Sequence, residues 1–342
     1  RDAVRSRGLG DVYKRHYLNS FKKMMTKALL PFFLVIFFAS CTAQKTERIA
    51  FYNVENLFDT INGPNNDEEF LPGGKKQWTS ERYDTKIDHI NQIIGALKTP
   101  MLIGLCEIEN ELVLNDILKN NKKLKPYKTV HFNSLDARGI DVGMLFNAKK
   151  LNLIDKGFIR FNLPEQSKPT SRDIVWAKFS HKKEVFFALV NHWPSRRGGT
   201  EKSAPKRIKA STEAKLFIDS LLLDNPNTKI ILMGDLNDYP SNRSVQQLTE
   251  TMTPCITKES NQYGGTNCYR GEWNILDHIM ISEGFKKNKI QIKAQSGSIY
   301  TPDYLITEYK GNKVPFRTYG GSKYLNGYSD HLPVFVEFYL KK

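Results

Sequence analysis

The sequence predicts an α/β or α+β protein in which β-sheets pack on one another. Two observations predict it. Short β-rich runs alternate with helical patterns from about residue 46 to the end, and neither an internal repeat nor a long low-complexity linker separates them. Hydrophobic residues make up 40% and charged residues 25%, the balance of an ordinary globular chain. That balance excludes a disordered, collagen-like or polytopic membrane protein.

Taken in order, residues 48–54 read as a strand. Tyr83, Ile87, Ile90, Ile94 and Leu97 recur at three- and four-residue spacings, which gives an amphipathic helix capped by Thr79 or Ser80. Residues 101–106 form a short apolar strand ending at Glu107, and Leu112, Val113, Ile117 and Leu118 mark a second helix. Strands are predicted at 127–132, 142–146, 174–179 and 185–190, the last two joined by a hairpin turn at 180–183. A helix begins near Pro205, a good first-turn residue. Strands at 229–233, 275–281 and 334–339 complete the body, which reads as one domain over 42–342.

The first forty residues read as an address rather than as fold. Lys22, Lys23 and Lys27 precede an apolar run at 29–39, broken by Pro31 and far short of the about 20 residues that span a bilayer. Length and flanks suit a secretory signal at 24–41. Ala39-Ser40-Cys41 resembles the end of a bacterial lipoprotein signal, in which Cys41 would be lipidated, although Phe38 stands where Leu is usual. Residues 1–23 precede Met24 and Met25, the natural start candidates, and are expected to be upstream sequence. The expectation is therefore an exported protein, periplasmic or at the cell surface, reaching the membrane only through a lipid anchor, and a monomer. In that compartment disulfides are permitted, and Cys255 and Cys268 are close enough in sequence to pair. Cys106 lies in an apolar run and reads as a buried free thiol.

The formal charge is +15, from 51 Lys and Arg against 36 Asp and Glu. Eight of those cations and two of those acids lie in residues 1–41, so the remaining body still carries +9. A moderately basic body suits an acidic partner without proving one.

Polar residues stop behaving like surface at five strand tips. These are Asn53-Val54-Glu55-Asn56, Cys106-Glu107-Ile108-Glu109, Asn191-His192-Trp193, Gly234-Asp235-Leu236-Asn237-Asp238 and Ser329-Asp330-His331. Singly, each is more often a turn or a packed histidine. Together they offer hard oxygen ligands suited to Mg²⁺ or Mn²⁺. A Gly-x-Ser-x-Gly elbow and a phosphate-cradling glycine loop are both missing from the sequence.

The series NVENLF, CEIEN, SRDIVWAKF, NHWPS, GDLND, LDHIMIS and YSDHLPV, spread over about 46–340, resembles the endonuclease/exonuclease/phosphatase superfamily typified by DNase I. The resemblance implies a four-layer α/β/β/α sandwich, two packed mixed β-sheets flanked by helices. It also implies hydrolysis of phosphate esters with a divalent metal, Mg²⁺ first, with Mn²⁺ or Ca²⁺ as alternates. Carried over by position, Asn53 and Glu107 resemble the metal pair, Glu55 replaces a frequent Asp there, and Asp330 resembles a further metal-site acid. Arg172 matches a phosphate-holding arginine, and the role of Asp141 stays open. His192 resembles the histidine that bonds the scissile phosphate. Asp235 and Asn237 match the pair that activates water and orients phosphate, and Asp277 and His331 resemble an Asp–His dyad. Either Asp235 or His331 would be the general base.

Two sequence stretches bear on the substrate. Ser195-Arg196-Arg197-Gly198-Gly199, followed by Lys202, Lys206, Arg207 and Lys209, suits a polyanion or simply a solvated loop. Residues 263–273, ending at Trp273, could stack a base, pack the loop or fit a sugar. The leading expectation is an exported nuclease or phosphodiesterase for DNA or RNA. The alternatives are a phosphomonoesterase for sugar, inositol or lipid phosphates and a non-catalytic surface-binding lipoprotein.

Overall fold

Central strands buried on both faces build two sheets that share a core. The computed structural model describes residues 46–164, 171–287, 289–293 and 295–340. The expected leader with Cys41, and residues 1–23, lie outside them. Strands are numbered in chain order. The first sheet runs β13 (Ile290–Ile292), β19 (Val334–Leu340), β1 (Thr46–Leu57), β2 (Leu102–Ile108), β4 (Asp141–Asn147) and β3 (Tyr127–His131), with β14 (Ser298–Ile299) also on β19. The second runs β5 (Asn152–Ile159), β6 (Ile174–His181), β7 (Glu184–His192), β8 (Ile230–Asp235), β12 (Asp277–Ser282) and β9 (Met252–Pro254). Among the described residues only β1–β2 and β7–β8 pair in parallel, so both sheets are mixed.

Alternation decides which layer each side chain enters. On β8, Ile231 and Met233 join the core between the sheets, while Ile230 and Leu232 face the core under the helix at Thr200–Asp224. The helices Ser80–Ala96 and Glu111–Lys119 bury Ile87, Ile90, Ile94, Val113 and Ile117 against the first sheet. That is the expected four-layer sandwich. The sheets come close at Gly104, where an added Cβ would lie 2.8 Å from Val190 and 3.0 Å from Met233.

Most elements fall where the sequence puts them, with informative departures. Thr79 is the helix cap, accepting from Arg82 N. The hairpin turns at Lys182 and Lys183, both at positive φ. The long helix starts at Thr200, five residues ahead of Pro205, so the proline does not open the helix but sits inside it, where it removes one backbone hydrogen bond. Strand β5 was not anticipated; it is an edge strand whose mostly exposed side chains leave no apolar pattern. Cys255 and Cys268 are not joined: Cys255 is buried in the core and Cys268 sits half-buried on a separate ribbon. Cys106 is the buried thiol expected, and burial pushes its pKa up. Among the described residues no helix is long and apolar enough to cross a membrane.

Candidate active site

The register of the central strands assembles the site. His192, at the end of β7, pairs with Asp235 at the end of β8, and Asp235 pairs in turn with Asp277 at the start of β12. Across the core, Asn53 of β1 pairs with Cys106 of β2, next to Glu107. Beyond that pair both strands bulge, and Glu55, Asn56 and Glu107 take positive φ of 54°, 53° and 60°. Left-handed backbone is costly for side-chain-bearing residues and gathers at functional sites. Here Asn56 N donates to Glu107 Oε2 at 3.0 Å. Gly234 makes the tight approach before Asp235: a Cβ there would lie 2.3 Å from Asn191 O.

Asp235 is the hub. Its Oδ2 accepts from Asn53 Nδ2 at 3.0 Å and its Oδ1 from Asn237 N at 2.9 Å. His192 Nε2 lies 3.7 Å and His331 Nε2 3.8 Å from Oδ2. Asn53 Nδ2 also reaches Glu107 Oε1 at 3.4 Å, and His192 Nε2 lies 3.8 Å from the same oxygen. His331 Nδ1 is 2.7 Å from Asp277 Oδ2. Ser329 fixes that histidine, its hydroxyl donating to Asn53 O and accepting from His331 N.

Burial sorts the two imidazoles into different charge states. His192 is held well below the ordinary value by desolvation, reinforced by the Arg172 and Arg138 charges. Desolvation works the same way on His331, but the Asp277 and Asp235 carboxylates outweigh it and raise that pKa well above the ordinary value. Asp235 is pushed up to about 7 by burial, relieved by His331 and aggravated by Asp277 and Glu107.

That last shift tests the fit of a divalent cation. Carboxylates crowd at Glu107, Asp235 and Asp277, and Asp277 Oδ1 has no hydrogen-bond partner among the described residues. An oxygen-rich, over-negative cluster is what Mg²⁺-type cations neutralise, so the residues fit. Asp235, Asp277 and His331 also lie close enough to ligate together, but His331 Nδ1 is already committed to Asp277.

Other expected site residues are placed differently. Glu55 and Asp330 do come together, but around Arg317, which the sequence did not mark: its guanidinium lies 3.1 Å from Glu55 Oε1 and 3.1 Å from Asp330 Oδ2. Glu55 Oε2 accepts from Thr318 N at 2.6 Å. Arg172 is spent on Asp136, His192 O and Trp193 O, so it braces the strand end. Asp136 sits on the loop that Asp141 anchors by binding His131 Nε2 and Ser134 N. Asn237 turns its amide to Trp193 O at 3.0 Å. Arg196 donates to Asn237 O, Asp238 and Asn242, Arg197 is exposed, and Trp273 stacks on Tyr263 at 4.6 Å.

The strand-tip carboxylates and the buried Asp–His pair supply the acid–base and cation-binding groups that a hydrolytic site requires. Residues 48–342 match the Endonuclease/Exonuclease/phosphatase family, and the chain belongs to it. Its members hydrolyse phosphate esters and generally depend on a divalent metal. Similar solved structures include the human nocturnin catalytic domain with bound sulfate (14% identity, 86% of this chain and 95% of that one, TM-score 0.55). They include mannosyl-6-phosphatase from Bacteroides thetaiotaomicron (18%, 85% and 99%, 0.52). D. rerio TDP2 complexed with a single-strand DNA product is a third (13%, 86% and 99%, 0.53). At these identities the likeness shows the fold alone. No curated protein sequence matches the chain.

Proposed function

We propose that the protein is a divalent-metal-dependent phosphodiesterase that hydrolyses nucleic acid. The observation that carries this reading is the convergence of Asn53, Glu107, His192, Asp277 and His331 on Asp235. Glu107 would hold the cation, with Asn53 fixing the carboxylates around it, since its Nδ2 donates to Glu107 and Asp235 while its Oδ1 is taken by Glu55 N. The cation when bound would neutralise the phosphoryl oxygens and so let an anionic diester be attacked.

The chain's own groups supply the rest. Asp235 Oδ2 takes a proton from the attacking water, whose oxygen bonds to phosphorus as the ester P–O bond breaks, and the leaving alkoxide takes a proton from solvent water. His331, kept protonated by Asp277, donates from Nε2 to the phosphoryl oxygens. Neutral His192 donates from the same side. Asn237 and Arg172 position the Asp235 turn and the His192 strand end.

Some of the fold's relatives bear names of sugar-phosphate enzymes and others of nucleic-acid complexes, so the fold does not choose the substrate. Support for a diester comes from a cleft of about 930 Å³ lined by Arg317 and by Asp330, the residue before His331, which leaves room well beyond a single phosphate. Hydrolysis of bis(p-nitrophenyl) phosphate and of an oligonucleotide is expected with Mg²⁺, falling about a thousandfold on chelation and returning when Mg²⁺ is restored. Turnover of phosphomonoesters alone would instead make it a phosphatase, and activity untouched by chelation would remove the metal. The reading also places the enzyme outside the cytoplasm, supported by the basic-then-apolar run before Cys41. Cys41→Ala is expected to release it from the membrane fraction; unchanged fractionation would refute lipid anchoring.

A further inference from the structure

Two hairpins beside the site end in the same chemistry. The ribbon β10 (Asn267–Tyr269) with β11 (Glu272–Asn274) turns through Arg270-Gly271, and the ribbon β15 (Ile306–Tyr309) with β16 (Asn312–Pro315) turns through Lys310-Gly311. Each tip reads tyrosine, cation, glycine. At both, the two turn residues have positive φ, 52° and 87° in one, 49° and 75° in the other, the pattern of a rigid two-residue turn. The ribbons are neighbours: a Cβ on Gly271 would lie 3.0 Å from Asn312 Oδ1.

The tyrosines are presented rather than packed. Tyr269 is 63% exposed and Tyr309 62%, though both are large rings that burial would stabilise. A cation sits over each ring, Arg270 at 5.2 Å from the centroid of Tyr269 and Lys310 at 5.4 Å from that of Tyr309. Both tips line the cleft that Arg317 and Asp330 also line, and Lys323 lines it from a third ribbon. The first ribbon adjoins the site, Asn267 pairing with His331 and donating to Asp330 O at 2.9 Å. The cleft wall also carries Glu308, which lies 3.8 Å from Lys313.

We propose that these tips form a track for single-stranded nucleic acid leading from the hydrolytic centre, the tyrosines stacking on bases and the adjoining cations meeting phosphates. Exposed aromatic faces alternating with cations suit unpaired bases, which offer a π-face and a charge at every step. A duplex keeps its faces stacked inside, so the tyrosines would gain nothing from it. The inference deepens the phosphodiesterase reading and rests on it.

The test measures binding of a fluorescein-labelled oligothymidylate by anisotropy, with Mg²⁺, in the full chain silenced by Asp235→Asn. Adding Tyr269→Ala and Tyr309→Ala is expected to weaken binding about tenfold or more. Arg270→Ala with Lys310→Ala is expected to flatten the salt dependence by about 1.4 in log–log slope. A duplex competitor is expected to bind more weakly than the single strand. Circular dichroism checks the fold of each variant, and ultraviolet cross-linking of the oligonucleotide to unaltered tips gives a readout that needs no tip variant. Single-strand affinity within about twofold in both double variants, or cross-links only outside the two tips, would overturn the inference. Bis(p-nitrophenyl) phosphate hydrolysis by the chain with Asp235 intact is scored separately. Its absence would remove the phosphodiesterase reading and the inference with it. Its presence alongside unchanged oligonucleotide affinity would remove the inference alone.

Discussion

Asp277→Asn is expected to lower kcat about 10³- to 10⁴-fold with little change in KM, the size of effect seen when a buried carboxylate behind a catalytic imidazole is replaced by its amide. Asp277 is fully buried and its Oδ2 lies 2.7 Å from His331 Nδ1. Burial alone would drive a proton off His331; Asp277 and Asp235 together keep it on. With asparagine the nearer charge is gone, so the imidazolium is lost at a lower pH. A step that needs the protonated ring fails as pH rises through its pKa, and the alkaline limb of the pH–rate profile should therefore move to lower pH in the variant. Stability follows the same sign. A raised histidine pKa contributes fully below the unfolded value and is lost as pH rises through the folded one, so the variant should lose stability mainly at the acid end. An unchanged alkaline limb together with full kcat would refute the dyad.

What the sequence could show of this arrangement depended on local pattern. Strand tips rich in Asn, Asp and His stood out because each follows an apolar run, and the family resemblance then set their roles. The register that seats His192 and Asp277 on either side of Asp235 is a product of sheet pairing, which no local pattern records. The same holds for Arg317. It lies in Phe316-Arg317-Thr318, with no neighbouring motif, yet it bridges Glu55 and Asp330 from 262 and 13 residues away. An edge strand such as β5 escapes notice for a different reason: its apolar residues fall in adjacent pairs, Leu153-Ile154 and Phe158-Ile159, so no period-two alternation can be read.

Charge was legible, and its destination was not. The run from Arg196 to Lys209 looks like a track for a polyanion, but Arg196 and Arg207 both turn inward to Asp238. The tyrosine–cation tips, sixty and more residues further on, carry the exposed version of the same chemistry. Spacing along the chain cannot tell a cation that faces water from one that faces a buried acid.

Arg207→Ala is accordingly expected to cost about 3–5 kcal/mol, the penalty for leaving a buried charge without its partner. Arg207 is fully buried, with Nε 2.7 Å from Asp238 Oδ2, Nη1 on the Ser203 hydroxyl at 2.8 Å and Nη2 on Thr200 O at 3.0 Å. Asp238 is buried as well, and its remaining partners are Arg196 at 3.0 Å and the Ser244 hydroxyl at 2.6 Å. The loss should appear as a lower urea midpoint at unchanged slope. Packing and charge can be separated by a second variant, Arg207→Met with Asp238→Leu, which removes both charges while keeping apolar volume and should recover much of the loss. A single variant within about 1 kcal/mol of the parent would show that Arg196 alone neutralises Asp238. Because Asp238 closes the turn that begins at Asp235, loosening it should also lower kcat at temperatures where the protein is still folded. The ion pair thus links the stability of the outer helix to the placement of the group on which the site converges.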